Sequence, residues 1–276
     1  MELEQNKKDL GKMFREENRL KINVIVATHK NYQMPTDKSY LPIQVGSEGK
    51  KSIGYTPDNT GDNISNKNSN YCELTGLYWA YKNLDCDYIG LSHYRRYFKG
   101  SNNSIDRFEN ILSTPEIENL LQSTDIILPR KQNYYIETLY SHYSHTLKEE
   151  DLIQTRKVIK DLYPDYLSSF DEVMRRKSAH MFNMFIMKKN ICDAYCDWLF
   201  SILFELEKNI DLSEYTAFQA RLFGRVSELL LDVWINKNQY KYKEVPVLYV
   251  EKINWIKKGT AFLKAKFLKT KYEGSF

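Results

Sequence analysis

Residues 93–98, with the sequence His-Tyr-Arg-Arg-Tyr-Phe, combine one imidazole, two guanidinium groups and three aromatic rings. A guanidinium group can bind two phosphate oxygens at once, and it keeps its charge when it is partly removed from water. Tyrosine and phenylalanine rings offer flat faces to a sugar or a base. The cluster therefore predicts a site for an anionic ligand that contains a ring. The alternative is a cationic strand end that pairs with carboxylates while its rings fill the core.

Short apolar runs predict the strands that would position this cluster. The runs cover residues 22–28, 88–92 and 125–129, and the first is rich in β-branched residues. The run at 88–92 leads directly into the cluster. If these strands are parallel, Thr-His-Lys at 28–30 lies at the same edge of the sheet as residues 93–96, and ligands of such sheets bind at that edge.

The segments between these strands carry helix signals. Asn70 and Glu73 have the spacing of a capping box at the start of a predicted helix over 70–84, and Thr114, which is followed by proline, starts another helix. Strands and helices that alternate in this way predict an α/β protein with a mainly parallel sheet and helices on its faces. Residues 31–69 are predicted to form a long irregular loop.

The second half of the chain is predicted to be more helical. Helices are expected at 149–162, 190–208 and 215–236, and strands at 180–187 and 245–250. The segment 134–145, which contains His142 and His145, is predicted to be a surface loop, and a metal pair is not expected there. Because no repeat or linker divides the chain, residues 22–251 are expected to form one domain that follows a polar segment at 1–21.

The end of the chain differs from the rest in charge. Seven lysines and one glutamate give residues 252–276 a net charge of +6, and because the whole chain carries +4, residues 1–251 carry −2. Apolar residues recur at helical spacing among the lysines, which is typical of a basic amphipathic helix on an anionic membrane. The alternative is that these apolar side chains dock on the protein's own core while the lysines are solvated.

The sequence does not favour a metal site. Asp85-Cys86-Asp87 matches the Asp-x-Asp pattern with which many nucleotide-sugar enzymes hold a divalent ion, but there the pattern follows an apolar strand and here it precedes one. A helix-to-strand turn is therefore the preferred interpretation. No cofactor is expected, and manganese or magnesium is not favoured. The four cysteines lack paired CxxC spacing and are predicted to be reduced, mostly buried thiols.

Four polar residues of the second half are further candidates. Arg221, Arg225 and Glu228 have i, i+4, i+7 spacing and share one face of a predicted helix, although a surface ladder of ion pairs explains them equally well. Asn183 stands among apolar residues, so its amide needs a partner, which is either backbone or a bound sugar hydroxyl.

Two segments resemble a known family. Residues 71–83, Tyr-Cys-Glu-Leu-Thr-Gly-Leu-Tyr-Trp-Ala-Tyr-Lys-Asn, and residues 88–98, Tyr-Ile-Gly-Leu-Ser-His-Tyr-Arg-Arg-Tyr-Phe, are similar to bacterial capsular and exopolysaccharide biosynthesis proteins. Those proteins were long catalogued as a domain of unknown function and have since been grouped with glycosyltransferases. The resemblance extends over about residues 22–250 and is most specific at 61–98. It implies a GT-A-like nucleotide-sugar fold and the transfer of a hexose, with galactose in pyranose or furanose form as the candidate.

The resemblance makes a glycosyltransferase with a nucleotide-sugar donor, preferably a UDP sugar, the leading hypothesis. The expected residues are His93, Arg95 and Arg96 for the donor diphosphate, Thr28, His29, Lys30, Asn63 and Asn68 for the nucleotide, and Asn183 and Tyr94 for the sugar. An inverting reaction needs a base that takes the acceptor's proton. Glu228 is the first choice for that base, and Asp62 is the second.

The expected acceptor is a lipid-linked glycan that belongs to a growing capsular or exopolysaccharide chain. With the basic tail on an anionic membrane, the protein is expected to be cytoplasmic and peripheral on the inner face of the cell membrane. A second hypothesis is a non-catalytic module that binds a polysaccharide or a nucleotide sugar through the same cluster. A third is a single-stranded RNA binder, against which the negative charge of residues 1–251 argues, so no nucleic acid partner is expected.

Overall fold

A nine-stranded sheet lies at the centre of residues 20–251, the part of the chain that the computed structural model describes. The strands of this part are β1 (Ile22–Thr28), β2 (Tyr40–Gln44), β3 (Thr56–Pro57), β4 (Tyr88–His93), β5 (Arg96–Phe98), β6 (Ile126–Pro129), β7 (Gln132–Asn133), β8 (Ser178–Ala179), β9 (Phe185–Lys188), β10 (Tyr242–Val245) and β11 (Val247–Tyr249). The order across the sheet is β10-β6-β9-β4-β1-β2-β3, and β5 and β11 continue from β4. β7 and β8 pair separately.

Along the order β10-β6-β9-β4-β1-β2-β3, four of the six neighbouring pairs are parallel. β1 is parallel to β2 and β4, β2 to β3, and β6 to β10. β9 is antiparallel to both of its neighbours, β4 and β6. The first residue of β9 therefore lies at the edge where β4 and β6 end, and the turn before β9 reaches that edge as well. The predicted α/β architecture with a mainly parallel sheet is confirmed.

Helices cover both faces of the sheet. Within the described residues they are α1 (Asn68–Tyr71), α2 (Leu74–Asn83), α3 (Thr114–Leu121), α4 (Leu139–Thr146), α5 (Glu149–Leu162), α6 (Leu167–Arg175), α7 (Lys189–Asn209) and α8 (Leu222–Asn238). Short 3-10 turns occur at Ser65–Lys67, Arg107–Asn110, Pro164–Tyr166 and Gln219–Arg221. The predicted helix at 149–162 has the observed bounds of α5, and the predicted helix at 190–208 is α7, longer by one residue at each end.

The two faces of the sheet bury different side chains. Along β1, Ile25 and Ala27 face a large core that also contains residues of α2, α7 and α8, whereas Val24 and Val26 face a smaller core with residues of α3. Successive side chains of a strand point to opposite faces, so a strand that is covered on both sides must be apolar throughout. This explains why the run at 22–28 is apolar without alternation.

Residues 31–69 are not the irregular loop that the sequence predicted. They contain β2 and β3, which extend the sheet beyond β1. The buried Asp58 carboxylate holds the segment, because it accepts hydrogen bonds from the backbone N–H groups of Gly46 and Ser47, at 2.8 and 3.0 Å, and from the hydroxyls of Ser47 and Ser65. Hydrogen bonds to an ionised group are about twice as strong as neutral ones.

The predicted helix over 70–84 is broken in two at Cys72, whose φ is 55°. Asn70 and Glu73 do not form a capping box, because the Asn70 side chain donates instead to the Ala220 carbonyl at 2.8 Å. α1 ends before the break and α2 begins after it. Glu73 is thereby placed directly before α2.

The apolar run at 180–187 is only partly a strand. A turn precedes β9, and Phe182 and Asn183 in that turn have φ values of 76° and 56°. The strand predicted at 245–250 is divided by Pro246, which cannot donate to a sheet, so β10 pairs with β6 while β11 pairs with β5.

Two helix predictions also need correction. The helix predicted at 215–236 is preceded by a 3-10 turn, and α8 itself begins at Leu222. The segment 134–145 is not simply a surface loop, because His142 and His145 lie on α4.

None of the helices among residues 20–251 is both long enough and apolar enough to cross a membrane. The polar segment predicted at 1–21 lies outside the described residues except for its last two, and the predicted basic tail at 252–276 lies wholly outside them. The division of the chain into these segments around one domain stays a prediction.

Candidate active site

The carboxyl ends of β1 and β4 meet and bring residues 28–30 to residues 93–96. In the parallel register, Ala27 lies opposite His93. The Thr28 hydroxyl donates a hydrogen bond to the Lys30 carbonyl at 2.7 Å and accepts one from the Lys30 N–H at 3.3 Å, which closes a turn at the end of β1. Residues from two distant parts of the sequence thus form one edge.

Tyr94 is buried beneath this edge. Its ring centre lies 4.4 Å from that of His93 and 5.5 Å from that of His29. Lys30 Nζ and the Arg95 guanidinium carbon lie 5.1 and 5.2 Å from the same ring centre. Cations are attracted to an aromatic face, so Tyr94 holds two positive groups side by side. It does so from within the protein and does not present an open face to a sugar.

His93 is neutral at physiological pH. Burial, together with Arg96 and Arg95, lowers the pKa of His93 to about 2, and burial together with Lys30 also lowers the pKa of His29. The Arg95 backbone N–H donates to His93 Nδ1 at 3.4 Å, so the proton of the neutral ring is on Nε2. His93 can therefore donate a hydrogen bond to a ligand oxygen, while the positive charge of the site comes from other residues.

Arg95 meets a carboxylate from the end of the described chain. Its Nη1 lies 3.8 Å from Glu251 Oε2, and the Tyr32 hydroxyl donates to Glu251 Oε1 at 3.2 Å. β11, paired with β5, brings Glu251 to this position. Within residues 20–251, Arg95 Nε is buried and meets no hydrogen-bond acceptor. A buried donor without an acceptor is costly, and a ligand oxygen would remove that cost.

Arg96 packs on the turn before β9. Its guanidinium carbon lies 4.5 Å from the centre of the Phe182 ring. Phe182 and the following Asn183 both have positive φ, a conformation that costs energy for residues other than glycine. The surrounding contacts must compensate for this strain, and they fix the position of the ring under Arg96.

The Asn183 amide is used within the protein. Its nitrogen donates to Glu73 Oε1 at 2.8 Å and to the Gly224 carbonyl at 3.0 Å, and its oxygen accepts from the Ser227 hydroxyl at 2.8 Å. Asn183 is buried, so this position holds Glu73 against α8 and does not point towards a ligand. The sequence predicted that this amide needs a partner, and in the structure its partners are one backbone carbonyl and two side chains.

Glu228, on α8, has a carboxyl group that titrates near neutral pH. Burial raises the pKa of Glu228 to about 7, with Glu73 acting in the same direction and with Arg225, Arg96 and Arg221 opposing it. A carboxyl group with such a pKa can accept a proton at physiological pH, as a general base must. Arg221, Arg225 and Glu228, which have i, i+4, i+7 spacing, thus lie close enough to interact electrostatically, and Glu228 also interacts with Arg96 of the strand-end cluster.

Glu73 and Cys72 are members of the site that sequence reasoning missed. Arg221 Nε donates to Cys72 Sγ at 3.1 Å. Burial, reinforced by Glu73, raises the pKa of the Cys72 thiol to about 11, so it stays protonated. Gly224 allows α8 to approach Cys72 closely, because a Cβ at this position would lie only 3.2 Å from Cys72 Sγ. The signal that could have found Glu73 is its place in the segment 71–83, where a capping role was the simpler interpretation.

Arg225 interacts electrostatically with Tyr134 and with His142, which lies on α4. Its guanidinium carbon lies 4.5 Å from the centre of the Phe218 ring, and its Nε is buried without a hydrogen-bond acceptor among the described residues. Burial raises the pKa of Tyr134, Glu228 acts in the same direction, and Arg225 opposes them. Burial lowers the pKa of His142, and Arg225 adds to this lowering.

The structure does not bring Asp62 and Asn63 to this edge. Asp62 accepts a hydrogen bond from the Tyr78 hydroxyl at 3.2 Å, and its backbone N–H donates to the Asn83 side chain at 3.3 Å. Asn83 is the last residue of α2, whereas Glu73 precedes the first. Asp62 and Asn63 are therefore separated from the cluster by roughly the length of α2, about 15 Å.

Asn68 lies nearer to the cluster, but its amide is engaged. It donates to the Cys72 carbonyl at 2.7 Å and to the Thr75 hydroxyl at 3.1 Å. Cys72 forms the break between α1 and α2, and Thr75 lies in the first turn of α2. Asn68 therefore stabilises the backbone that carries Cys72.

Several positively charged side chains lie among the described residues of this edge. No group of three or more His, Cys, Asp or Glu side chains among residues 20–251 is arranged to hold a metal ion. Asp85 and Asp87 lie before β4, where Asp85 pairs with Lys21 at 3.7 Å and Asp87 accepts the Lys21 backbone N–H at 2.7 Å. The arrangement can offset the charge of a diphosphate with guanidinium groups and can move one proton through a carboxyl group.

The charges around Glu228 predict opposite changes of its pKa in two variants. Glu73→Gln removes a negative charge, so we expect the pKa of Glu228 to fall below about 7, whereas Arg225→Met removes a positive charge and should raise it. A carbon-13 NMR titration of the side-chain carboxyl groups measures both. Glu205→Gln on α7 is the control and should leave the pKa unchanged. The same Glu228 pKa in all three variants would contradict the arrangement.

Comparisons with known proteins identify the family and the fold of the chain. The profile of the family described as Domain of unknown function (DUF4422) matches residues 23–239. No curated protein matches the chain. A solved apo structure of WbbM, a bifunctional glycosyltransferase, is 31% identical to this chain, with a TM-score of 0.78. The match covers 84% of this chain and 46% of that chain, so the protein spans less than half of the length of WbbM.

The structural similarity confirms the fold class that the resemblance implied, namely a mixed α/β fold of the kind found in a glycosyltransferase. The matched residues of the family profile extend from β1 to the residue after α8, and they include the edge at 93–96 and Glu228. By this match the chain belongs to the family described as Domain of unknown function (DUF4422).

Proposed function

We propose that the protein is a glycosyltransferase that transfers a sugar from a nucleotide-sugar donor to a glycan. The observation that carries the proposal is a carboxyl group with a pKa of about 7, Glu228, close to Arg96, Arg221 and Arg225 at the carboxyl edge of a mainly parallel sheet. Ligands of open α/β sheets bind at that edge. The similarity to a glycosyltransferase structure supports the same class of reaction.

In this proposal the arginines bind the donor diphosphate. Arg95 and Arg96 stand at the end of β4, and Arg95 Nε still needs an acceptor that a phosphate oxygen would provide. His93 donates from Nε2 to a further oxygen. Thr28, His29 and Lys30 at the end of β1 then border the nucleotide. Guanidinium groups offset the charge that leaves with the nucleoside diphosphate when the sugar is transferred.

Glu228 is the proposed base. If the reaction inverts the anomeric carbon, the acceptor hydroxyl must lose a proton as it attacks, and a carboxylate with a pKa near the working pH is suited to accept it. Burial raises the pKa of Glu228 and Glu73 adds to this effect, while Asn183 holds Glu73 in place through a hydrogen bond. Asp62 is too far from the strand ends for this role.

The finer parts of the proposal follow the family resemblance. The transferred sugar is a hexose, with galactose in pyranose or furanose form as the first candidate, and UDP is the proposed carrier. The acceptor is a lipid-linked glycan of a growing capsular or exopolysaccharide chain. The protein would meet this acceptor as a cytoplasmic, peripheral protein at the inner face of the cell membrane.

The proposed function is tested by donor cleavage. We expect the purified chain to release UDP from UDP-galactose, and Glu228→Gln to reduce the rate by at least about a hundredfold, the lower end of general-base effects. The rate should rise as the pH increases through about 7, because only the ionised Glu228 accepts a proton. UDP release is measured by coupled assay between pH 5.5 and pH 8.5.

Glu205→Gln serves as the matched control and should keep the wild-type rate. A chain that binds UDP but releases none from any of a panel of UDP hexoses would be a non-catalytic binding module, which is the alternative function.

The arginines predict a loss of donor affinity. Arg95→Ala and Arg96→Ala should each weaken UDP binding by about 1.5–3 kcal/mol, the typical worth of a charge-assisted contact. Calorimetry measures the affinity, and thermal unfolding checks that each variant is folded. Arg156→Ala is the control, because Arg156 pairs with Asp171 on the helical half. Unchanged affinity in both site variants would show that the cluster is structural.

Metal-independent activity is proposed because arginines stand at the strand end where a metal motif is expected. We expect UDP release from UDP-galactose to continue at the same rate after treatment with EDTA. Loss of the rate with EDTA and its recovery with manganese or magnesium would contradict this proposal and would require carboxylate ligands.

The basic tail is the proposed membrane contact, although it lies outside the described residues. Each lysine near an anionic surface contributes about 1 kcal/mol, so the charge of residues 252–276 suffices for binding. Removal of residues 255–276 should abolish sedimentation with phosphatidylglycerol vesicles and leave hydrolysis of a soluble donor largely intact. Vesicle binding that survives the truncation, or that does not weaken with salt, would refute the membrane contact.

A further inference from the structure

His180 is a buried imidazole that lies between two carboxylates. Its Nδ1 is 2.5 Å from Asp232 Oδ1, on α8, and its Nε2 is 3.1 Å from Glu244 Oε1, on β10. The His180 backbone N–H donates to the second Asp232 oxygen at 2.9 Å. The Tyr242 ring packs edge-on against the imidazole, with the ring centres 5.2 Å apart. The imidazole is therefore fixed between a helix and a strand.

The two ring contacts of His180 call for a doubly protonated ring. A neutral imidazole carries one N–H, so its other nitrogen would present a lone pair to a carboxylate oxygen. An imidazolium donates from both nitrogens and satisfies Asp232 and Glu244 together. Burial disfavours its positive charge, but two carboxylates within 3.1 Å favour it. The surroundings of His93 are different, because burial and two arginines keep that ring neutral.

Two further cations lie near this pair of carboxylates. Lys131 Nζ is 3.9 Å from Glu244 Oε1. Arg176 lines a cavity of about 250 Å³ together with Lys131 and Asp232, and it pairs with a carboxylate on α6 at 2.5 Å. Each of these cations has a carboxylate of its own, whereas Asp232 receives its hydrogen bonds from His180.

The segment 180–183 is attached to α8 both before and after Glu228. His180 binds Asp232, which follows Glu228 by four residues, and Asn183 binds α8 in the turn that precedes Glu228. Residues four apart share one face of a helix and are separated by about one turn, roughly 5.4 Å. Asp232 is 2% exposed, so water screens its charge poorly. A carboxylate at this distance disfavours the ionised form of Glu228 unless a cation compensates it.

We propose that His180 is a positioning residue for Glu228: its imidazolium charge compensates Asp232, and its contacts hold the segment 180–183 on α8. The proposal rests on the proposed function for the role of Glu228 as a base. Without the imidazolium, the Asp232 charge would act on Glu228, and a higher pH would be needed to ionise the base. Charged groups that also act on Glu228 are Glu73, Arg225, Arg96 and Arg221.

Nitrogen-15 NMR of the imidazole rings tests the charge of His180 in the full chain without turnover. At pH 7, long-range proton–nitrogen spectra should show two protonated ring nitrogens for His180 and one for His93, which is the internal reference for a neutral ring. The ring signals that disappear in His180→Asn assign the resonances. A His180 ring with a single protonated nitrogen would overturn the proposal.

A carbon-13 NMR titration tests whether this charge acts on Glu228. His180→Asn keeps a donor for Asp232 but removes the charge, so the pKa of Glu228 should rise from about 7 by about 1. Addition of Asp232→Asn removes the uncompensated carboxylate and should return the pKa towards about 7. His145→Asn, at an exposed position on α4, is the matched control. The same Glu228 pKa in the wild type and in His180→Asn, with thermal unfolding confirming that the variant is folded, would contradict the compensation.

Donor cleavage gives the functional readout. In His180→Asn, kcat/KM for UDP-galactose should fall by about tenfold at pH 6 and by little at pH 8.5, because a raised pKa reduces the ionised fraction of Glu228 mainly below that pKa. An equal loss at both pH values would show that the contacts of His180 matter and its charge does not, which overturns the proposal. If the wild type cleaves no donor, the proposed function fails, and the two NMR measurements still decide whether His180 sets the charge state of Glu228.

Discussion

Four guanidinium groups and the carboxylates near them are the feature on which the rest of the candidate site depends. Each guanidinium group has a different contact: Arg95 with the Glu251 carboxylate, Arg96 with the Phe182 ring, Arg221 with the Cys72 sulfur, and Arg225 with the Phe218 ring. A ring attracts a cation without neutralising it. Burial and neighbouring positive groups lower the pKa values of His93 and His29, so the two imidazoles do not add to the positive charge of the arginines.

The backbone that presents these partners is strained or interrupted at two points. Cys72 breaks the helix that would otherwise run from α1 into α2, and Phe182 and Asn183 reverse the chain before β9. Asn183 joins the two points, because its amide binds Glu73 and the backbone of α8. The antiparallel direction of β9 places this turn at the edge where β4 ends. A fully parallel sheet would have put the start of that strand at the opposite edge.

The sequence predicted the parts of this arrangement that depend on local pattern. The strands at 22–28 and 88–92, α5 and α7 follow from period and composition, and the meeting of residues 28–30 with residues 93–96 follows from parallel strands. Features that depend on distant contacts could not be predicted. The break at Cys72 depends on contacts with Arg221 and Gly224, which are distant in sequence. The turn at Phe182 and Asn183 lies inside an apolar run, so the sequence pattern does not reveal it. The capping interpretation of Glu73 failed because Asn70 binds the Ala220 carbonyl.

The contact between Glu251 and Arg95 should favour anions of higher charge at the end of β4, because an anion that binds Arg95 must displace the Glu251 carboxylate. The pair is 3.8 Å apart and partly exposed, so it is weak, but an incoming anion must still displace it. A monovalent ion such as chloride exchanges one single charge for another and gains little. A pyrophosphate group carries more charge than the carboxylate, and under the proposed function it would span both Arg95 and Arg96. Under that function, small monovalent anions are thus disfavoured before the donor sugar is bound.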